Sequence, residues 1–125
     1  MVGIDVIEIG RVVAANKNNR FIDKVLTTAE KEYLAKKSTV CNNAYSEHDC
    51  TLAGFWAAKE AVLKALQLGI VDNLKHIEIL HKDNGAPYVK ISKQFCQKHN
   101  INVSNNINIS ISHDAGIAIC ICQIG

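Results

Sequence analysis

Phe55-Trp56-Ala57-Ala58-Lys59-Glu60-Ala61-Val62-Leu63-Lys64-Ala65-Leu66-Gln67-Leu68-Gly69 is the stretch around which the chain is organised. No helix breaker interrupts it before Gly69, and Ala, Leu, Lys and Glu are strong helix formers. Apolar residues recur at Leu52, Phe55, Trp56, Val62, Leu63 and Leu66, the spacing of one helical face. Gly69 suits the left-handed conformation that stops a helix. A long helix from about Asp49 to Leu68 is the expectation. Glu60 and Lys64 share one side of it, flanked by small Ala57 and Ala61. They read either as an i,i+4 surface ion pair, about 0.3–0.5 kcal/mol, or as part of an anion and metal site. From the helix alone the surface pair is the simpler reading.

Outward from this helix, the 125 residues suffice for one domain, 1–125, with its own core. Hydrophobic content of 48% and charged content of 21% are ordinary for a globular protein. A net charge of +2 is too small to argue for a nucleic-acid partner. No apolar run nears the ~20 residues that cross a bilayer. Met1 leads straight into a strand-like segment without a basic start or cleavable apolar stretch, so a cytosolic chain is expected. The five cysteines, Cys41, Cys50, Cys96, Cys120 and Cys122, contain no CxxC and no zinc spacing. They read as reduced, structural thiols.

Val2 to Ile9 is rich in β-branched residues and reads as a strand. Val2, Ile4 and Val6 share one face; Gly3, Asp5, Ile7 and Ile9 share the other. Asp5 therefore sits among apolar neighbours and needs a partner, whether a structural hydrogen bond or a metal. Gly3 permits close approach of another segment. Residues 10–24 read as a short helix, an Asn-rich break and a further helical turn. Their Arg11, Lys17, Arg20 and Lys24 face only Asp23, which makes either a solvated basic face or a dock for an acidic partner.

Thr27 and Glu30 match a capping box for a helix running to about Lys37. Residues 38–48 are polar and aperiodic, the expected mobile loop. His76 to Leu80 and Tyr88 to Ile91 flank the hairpin turn Asp83-Asn84-Gly85. Ser92 caps a short helix, Lys93 to His99. Ile107 to Ser112 alternates apolar and polar, His113 to Gly116 turns, and Ile117 to Ile124 is the last strand. The order predicts an α+β fold, with a long central helix packed on a mainly antiparallel sheet.

Familiar nucleophile and phosphate motifs are missing. Ser112 and His113 are adjacent on a strand and point to opposite faces. No GxSxG elbow, Walker loop or Rossmann fingerprint occurs. What remains is Asp5 on a strand and Glu60 on a helix, with Lys59, Lys64 and His113. Two carboxylates and nearby cations suit a magnesium ion that holds phosphate oxygens.

Four segments together resemble the holo-[acyl-carrier-protein] synthases, a group of phosphopantetheinyl transferases. They are Val2-Gly3-Ile4-Asp5-Val6-Ile7-Glu8-Ile9 with Arg11; Arg20-Phe21 through Leu26-Thr27-Thr28-Ala29-Glu30; Trp56-Ala57-Ala58-Lys59-Glu60-Ala61 with Lys64-Ala65-Leu66; and Ile109-Ser110-Ile111-Ser112-His113. Asn84-Gly85-Ala86-Pro87-Tyr88 is similar to the family's Gly-x-Pro hairpin. The resemblance implies transfer of 4′-phosphopantetheine from coenzyme A to a serine of apo acyl carrier protein, releasing adenosine 3′,5′-bisphosphate, in support of fatty acid biosynthesis. It implies Asp5 and Glu60 as magnesium ligands, and Glu60 as base, directly or through a metal-bound water. Lys64 is implied on phosphate oxygens, with Lys59, Pro87, Ser112 and His113 at the coenzyme A site. Arg11, Lys17, Arg20 and Lys24 are implied as the carrier dock. A homotrimer with sites at subunit boundaries is also implied. Phe55 stands where the family carries a phosphate-holding arginine, so Lys59, His113 or Lys90 serves instead or binding is weaker. The alternative, a silent coenzyme A-binding or oligomeric module, is disfavoured because both acids are present.

Overall fold

The computed structural model describes residues 1–41, 44–69, 71, 73–102 and 106–125. The chain opens with strand β1 (Val2–Glu8), helix α1 (Ile9–Ala15), a 3₁₀ turn (Lys17–Asn19) and helix α2 (Arg20–Val25). Helices α3 (Thr28–Ala35) and α4 (Glu47–Ala65) follow. After a 3₁₀ turn (Leu74–His76) come strands β2 (Ile77–His81) and β3 (Pro87–Ile91), helix α5 (Lys93–His99), and strands β4 (Ile107–Asp114) and β5 (Ile117–Ile124). One antiparallel sheet has the order β1-β5-β4; the other pairs β2 with β3. This is the α+β arrangement expected, divided between two sheets. No described helix is long and apolar enough to cross a membrane.

Several local rules hold at the residue level. Thr27 accepts from Glu30 N while Glu30 accepts from Thr27 N, so the capping box at α3 is complete. Ser92 caps α5 by accepting from Phe95 N. The helix α4 starts at Glu47, ahead of the expected Asp49, because Ser46 and Asp49 form a second capping box. Its other end differs more. The helix stops at Ala65, and Gln67 takes the left-handed turn at φ 59° in place of Gly69. Leu68 N donates to Leu63 O at 2.9 Å, closing that turn. Half-buried Leu66 and Leu68 pack on the core on either side of Gln67, so packing sets the stop where glycine chemistry alone pointed further on. The expected mobile loop, 38–48, lies partly outside the described residues, at 42–43.

Helix α4 is more than amphipathic. Ala53, Ala57, Ala58, Ala61 and Ala65 are as buried as Leu52, Phe55, Val62 and Leu63, so neighbours enclose it on several sides. Each large apolar side chain buried this way contributes roughly 1.5–3 kcal/mol. The small residues let β1 lie directly against the helix backbone. A Cβ on Gly3 would overlap the Ala61 carbonyl oxygen and come within 2.5 Å of Ala65 N. Gly3→Ala is therefore expected to lower unfolding free energy by about 3 kcal/mol, read as a shifted urea midpoint at unchanged slope. A wild-type midpoint would show that the strand can move aside.

The register places Asp5, Cys120 and Ile111 side by side on the face toward α4. Burial pushes the Cys120 thiol up to about 12 and the Cys122 thiol up to about 11, so both behave as core side chains. The opposite face of the same sheet carries Val2, Ile4, Val6, Ile117 and Ile121, all exposed, with Ser110 and Ser112 continuing the rows.

Candidate active site

Asp5 comes from the α4-facing side of β1, and its side chain is 12% exposed. Lys64, one turn beyond Glu60 on α4, donates to Asp5 Oδ1 at 3.0 Å and to Ile4 O at 3.0 Å. The lysine thus pairs across the helix–strand contact, and the i,i+4 partner suggested by spacing is displaced by Asp5. Asp5 Oδ2 is buried and has no hydrogen-bond partner. A buried carboxylate oxygen left bare is costly unless something else completes it. Burial pushes the Glu60 carboxyl above its ordinary value; the neighbouring Asp5 charge pushes the same way and Lys64 opposes both. Two acids therefore face one cation, which leaves the site short of positive charge.

Glu60 and Lys64 also line a cavity of about 620 Å³. Its other walls are largely apolar: Phe21 and Val25 from α2, Trp56 and Leu63 from α4, and Leu74 beyond. Phe21 and Trp56 meet with ring centroids 5.3 Å apart. Lys24 adds a cation to the lining. The sequence suggested Phe21 and Trp56 only as apolar anchors; that they wall a cavity follows from α2 folding across α4. Charged groups at one side of an apolar cleft suit a ligand with an anionic head and a less polar extension.

Lys59 requires a correction. It was expected at the phosphate site, yet its side chain is 0% exposed. Its ammonium donates to Glu30 Oε1 and Ile77 O at 2.8 Å, Val25 O at 3.0 Å and Leu74 O at 3.1 Å. One residue from Glu60 on a helix is a rotation of about 100°, which turns Lys59 inward to a fully bonded position unable to meet a bound phosphate. Glu30, recognised in the sequence only as a helix cap, is its partner. Phe55 is likewise interior, edge-on to Tyr33 and His81, whose rings stack at 3.8 Å.

The remaining expected site residues are not gathered around Asp5 within one chain. Ser112 shares a row with Ile119 and Val6, on the sheet face opposite Asp5. His113 lines a separate cavity of about 760 Å³ with Tyr45, Cys50 and Asp114. Pro87 begins β3 opposite His81 in the smaller sheet. Arg11, Lys17, Arg20 and Lys24 are all exposed along α1, the 3₁₀ turn and α2. Asp23, the acid among them, is engaged by Lys31 at 3.0 Å. Among the described residues no group of three or more His, Cys, Asp or Glu forms a metal cage. A pair of carboxylates is nevertheless what magnesium takes when substrate phosphate and water complete its shell.

Comparisons with known proteins identify the family. The family model of the 4′-phosphopantetheinyl transferase superfamily matches residues 1–122. A holo-[acyl-carrier-protein] synthase of Caldicellulosiruptor saccharolyticus is 38% identical, over 98% of this chain and 93% of its own. One from Campylobacter fetus is 39% identical, over 95% of this chain and 94% of its own. The crystal structure of Helicobacter pylori holo-[acyl-carrier-protein] synthase in complex with coenzyme A is 31% identical, covers 100% of both chains and superposes with a TM-score of 0.80. The Bacillus anthracis synthase is 26% identical with a TM-score of 0.76, over 98% of this chain and 93% of that one. Shared sequence along nearly the whole length, a shared fold, and paired acids beside a lysine and a cleft together place this chain in the 4′-phosphopantetheinyl transferase superfamily, as an enzyme of the transferase class.

Proposed function

We propose that residues 1–125 work as one domain that moves 4′-phosphopantetheine from coenzyme A to a serine hydroxyl of apo acyl carrier protein. The serine oxygen bonds to the phosphorus bearing pantetheine, the phosphoanhydride bond breaks, and adenosine 3′,5′-bisphosphate leaves with the electron pair. The observation that carries this reading is the bare, buried Asp5 Oδ2 beside Glu60 and Lys64 at the edge of the cavity. The residues fit a magnesium ion: two carboxylates, one with an oxygen already desolvated and unsatisfied. When bound, the metal neutralises charge on the pyrophosphate and polarises it. Lys64 shifts between Asp5 and phosphate oxygens. Glu60, whose carboxyl burial pushes above its ordinary value, receives the serine proton directly or through water. The apolar cavity walls exclude water from competing with the serine.

Coenzyme A is the donor because the related Helicobacter pylori synthase is described in complex with it. Acyl carrier protein is the acceptor because the relatives are named for that reaction. Supply of holo carrier for fatty acid synthesis follows, in the cytoplasm, where the free cysteines stay reduced. We assign the assembly as a homotrimer. Ser112 and His113 lie away from Asp5 and Glu60 in one chain, and the exposed row of Ile4, Val6 and Ile121 supplies a face for a second copy. A neighbour's Ser112 and His113 then complete each site.

Mass spectrometry of apo carrier protein after incubation with enzyme, coenzyme A and magnesium tests the reaction. A gain of one phosphopantetheine group supports it; a folded enzyme that adds no mass overturns it. The exposed cations of α1 and α2 dock the acidic carrier and steer its approach. Arg11→Glu or Arg20→Glu is expected to raise the KM for carrier about tenfold, roughly 1.4 kcal/mol, with coenzyme A binding unchanged by calorimetry. Unaltered carrier kinetics would remove the dock from α1 and α2.

A further inference from the structure

Among the described residues, the Lys59–Glu30 pair is the fully buried ion pair that the transfer reaction does not use directly, and it joins five parts of the chain. The Lys59 ammonium holds the carbonyls of Val25 at the end of α2, Leu74 in the 3₁₀ turn and Ile77 at the start of β2. Glu30 answers with both oxygens, accepting from Lys59 Nζ and Thr27 N on one and from Ile79 N at 2.9 Å on the other. Both side chains are fully buried. Val25 and Leu74, two of the groups held, line the same cavity as Glu60. Lys59 also immediately precedes Glu60, so anchoring its ammonium fixes the roll of α4 and the direction of the Glu60 side chain.

Building on the transfer reaction proposed above, we propose that Lys59 is a positioning residue. Through Glu30 and the carbonyls of Val25 and Leu74, it sets the distance between the carrier-docking helix α2 and Glu60. A buried ion pair is a poor way to gain stability, since a well-packed apolar pair often serves as well. It is an effective way to hold several backbone groups in one geometry, because the ammonium and both carboxylate oxygens are all hydrogen-bonded. The carrier serine is delivered by whatever docks on α2, and it must arrive within bonding range of phosphorus. An error of about 1 Å in that delivery costs on the order of 100-fold.

The test uses the full chain with Glu30→Gln, and with Lys59→Met and Glu30→Met together so that no buried charge is left alone. Transfer kinetics are measured below each variant's melting temperature, alongside hydrogen exchange of residues 20–26 and 73–79. The expected result is a loss of roughly 10- to 100-fold in kcat/KM for carrier protein, a nearly unchanged KM for coenzyme A, and faster exchange in both segments. A lower melting temperature with unchanged kinetic constants and unchanged exchange would make the pair a stabiliser only and overturn the proposal. If the paired variant does not fold, Glu30→Gln decides alone, since it keeps the side chain's size and one oxygen acceptor. Wild-type enzyme that adds no mass to carrier protein refutes the reaction instead. In that case unchanged exchange at 20–26 would still overturn the role of Lys59.

Discussion

Glu60→Gln is expected to cut phosphopantetheine transfer by on the order of 1,000-fold or more, while the protein folds as well as wild type. Activity falls because the amide neither accepts the serine proton nor neutralises a metal. Stability does not fall because the native site works against this carboxylate. Burial and the Asp5 charge raise its pKa, which means that the folded state disfavours the ionised form. A raised carboxyl pKa is a penalty on folding that is fully present above the folded pKa and gone below the ordinary value. Gln removes that penalty, so the variant should melt at or slightly above wild type near neutral pH, and the difference should vanish in acid. Magnesium should raise the melting temperature of wild type and not of Glu60→Gln. Near-normal turnover in the variant would refute both the base and the metal assignment.

Ile4→Asp combined with Ile121→Asp is expected to leave a folded single chain with almost no transfer activity. The two side chains are paired across β1 and β5, and both are about half exposed, so the chain's own core does not depend on them. An assembly that covers them would bury four or more carboxylates per contact region without partners, a cost of several kcal/mol each. Sedimentation should show monomer for the variant and, under the proposed assembly, trimer for wild type. Under the proposed trimer, loss of activity would follow without any change to Asp5, Glu60 or Lys64, because Ser112 and His113 of a neighbouring copy would no longer reach the site. A trimer that persists would move the interface elsewhere. A fully active monomer would show that one chain holds the whole site.

The Thr27–Glu30 capping box, the hairpin and the amphipathic strands were legible because each is set within a few residues. A hydroxyl at the N-cap, a carboxylate three residues on, or Asn-Gly between apolar runs acts through local hydrogen bonds and φ angles that composition dictates. The exchange of Gly69 for Gln67 as the left-handed residue was not legible, since it depends on where Leu66 and Leu68 find the core. The same distinction separates the site residues. Asp5 and Glu60 stood out as acids among apolar neighbours. Whether Glu60 or Asp5 would take Lys64 turned on β1 lying against α4, a contact that Gly3 and Ala61 permit and spacing cannot reveal.

By itself, the sequence determined the element order, the α+β class, the paired acids and, through four ordered motifs, the family. Those features are carried by residue type and short-range spacing, which survive in any arrangement of the elements. The tertiary structure alone decided which lysine lies beside Asp5 and which is buried. Lys59 and Lys64 lie on one helix within two turns of each other, and either is a plausible phosphate ligand when written as text. The helix roll sends the first into a buried cage of Glu30 and three carbonyls and leaves the second 54% exposed beside Asp5. That roll is set by the packing of α4 against β1 and β5 together with the Lys59 anchor itself, which no local window of sequence contains.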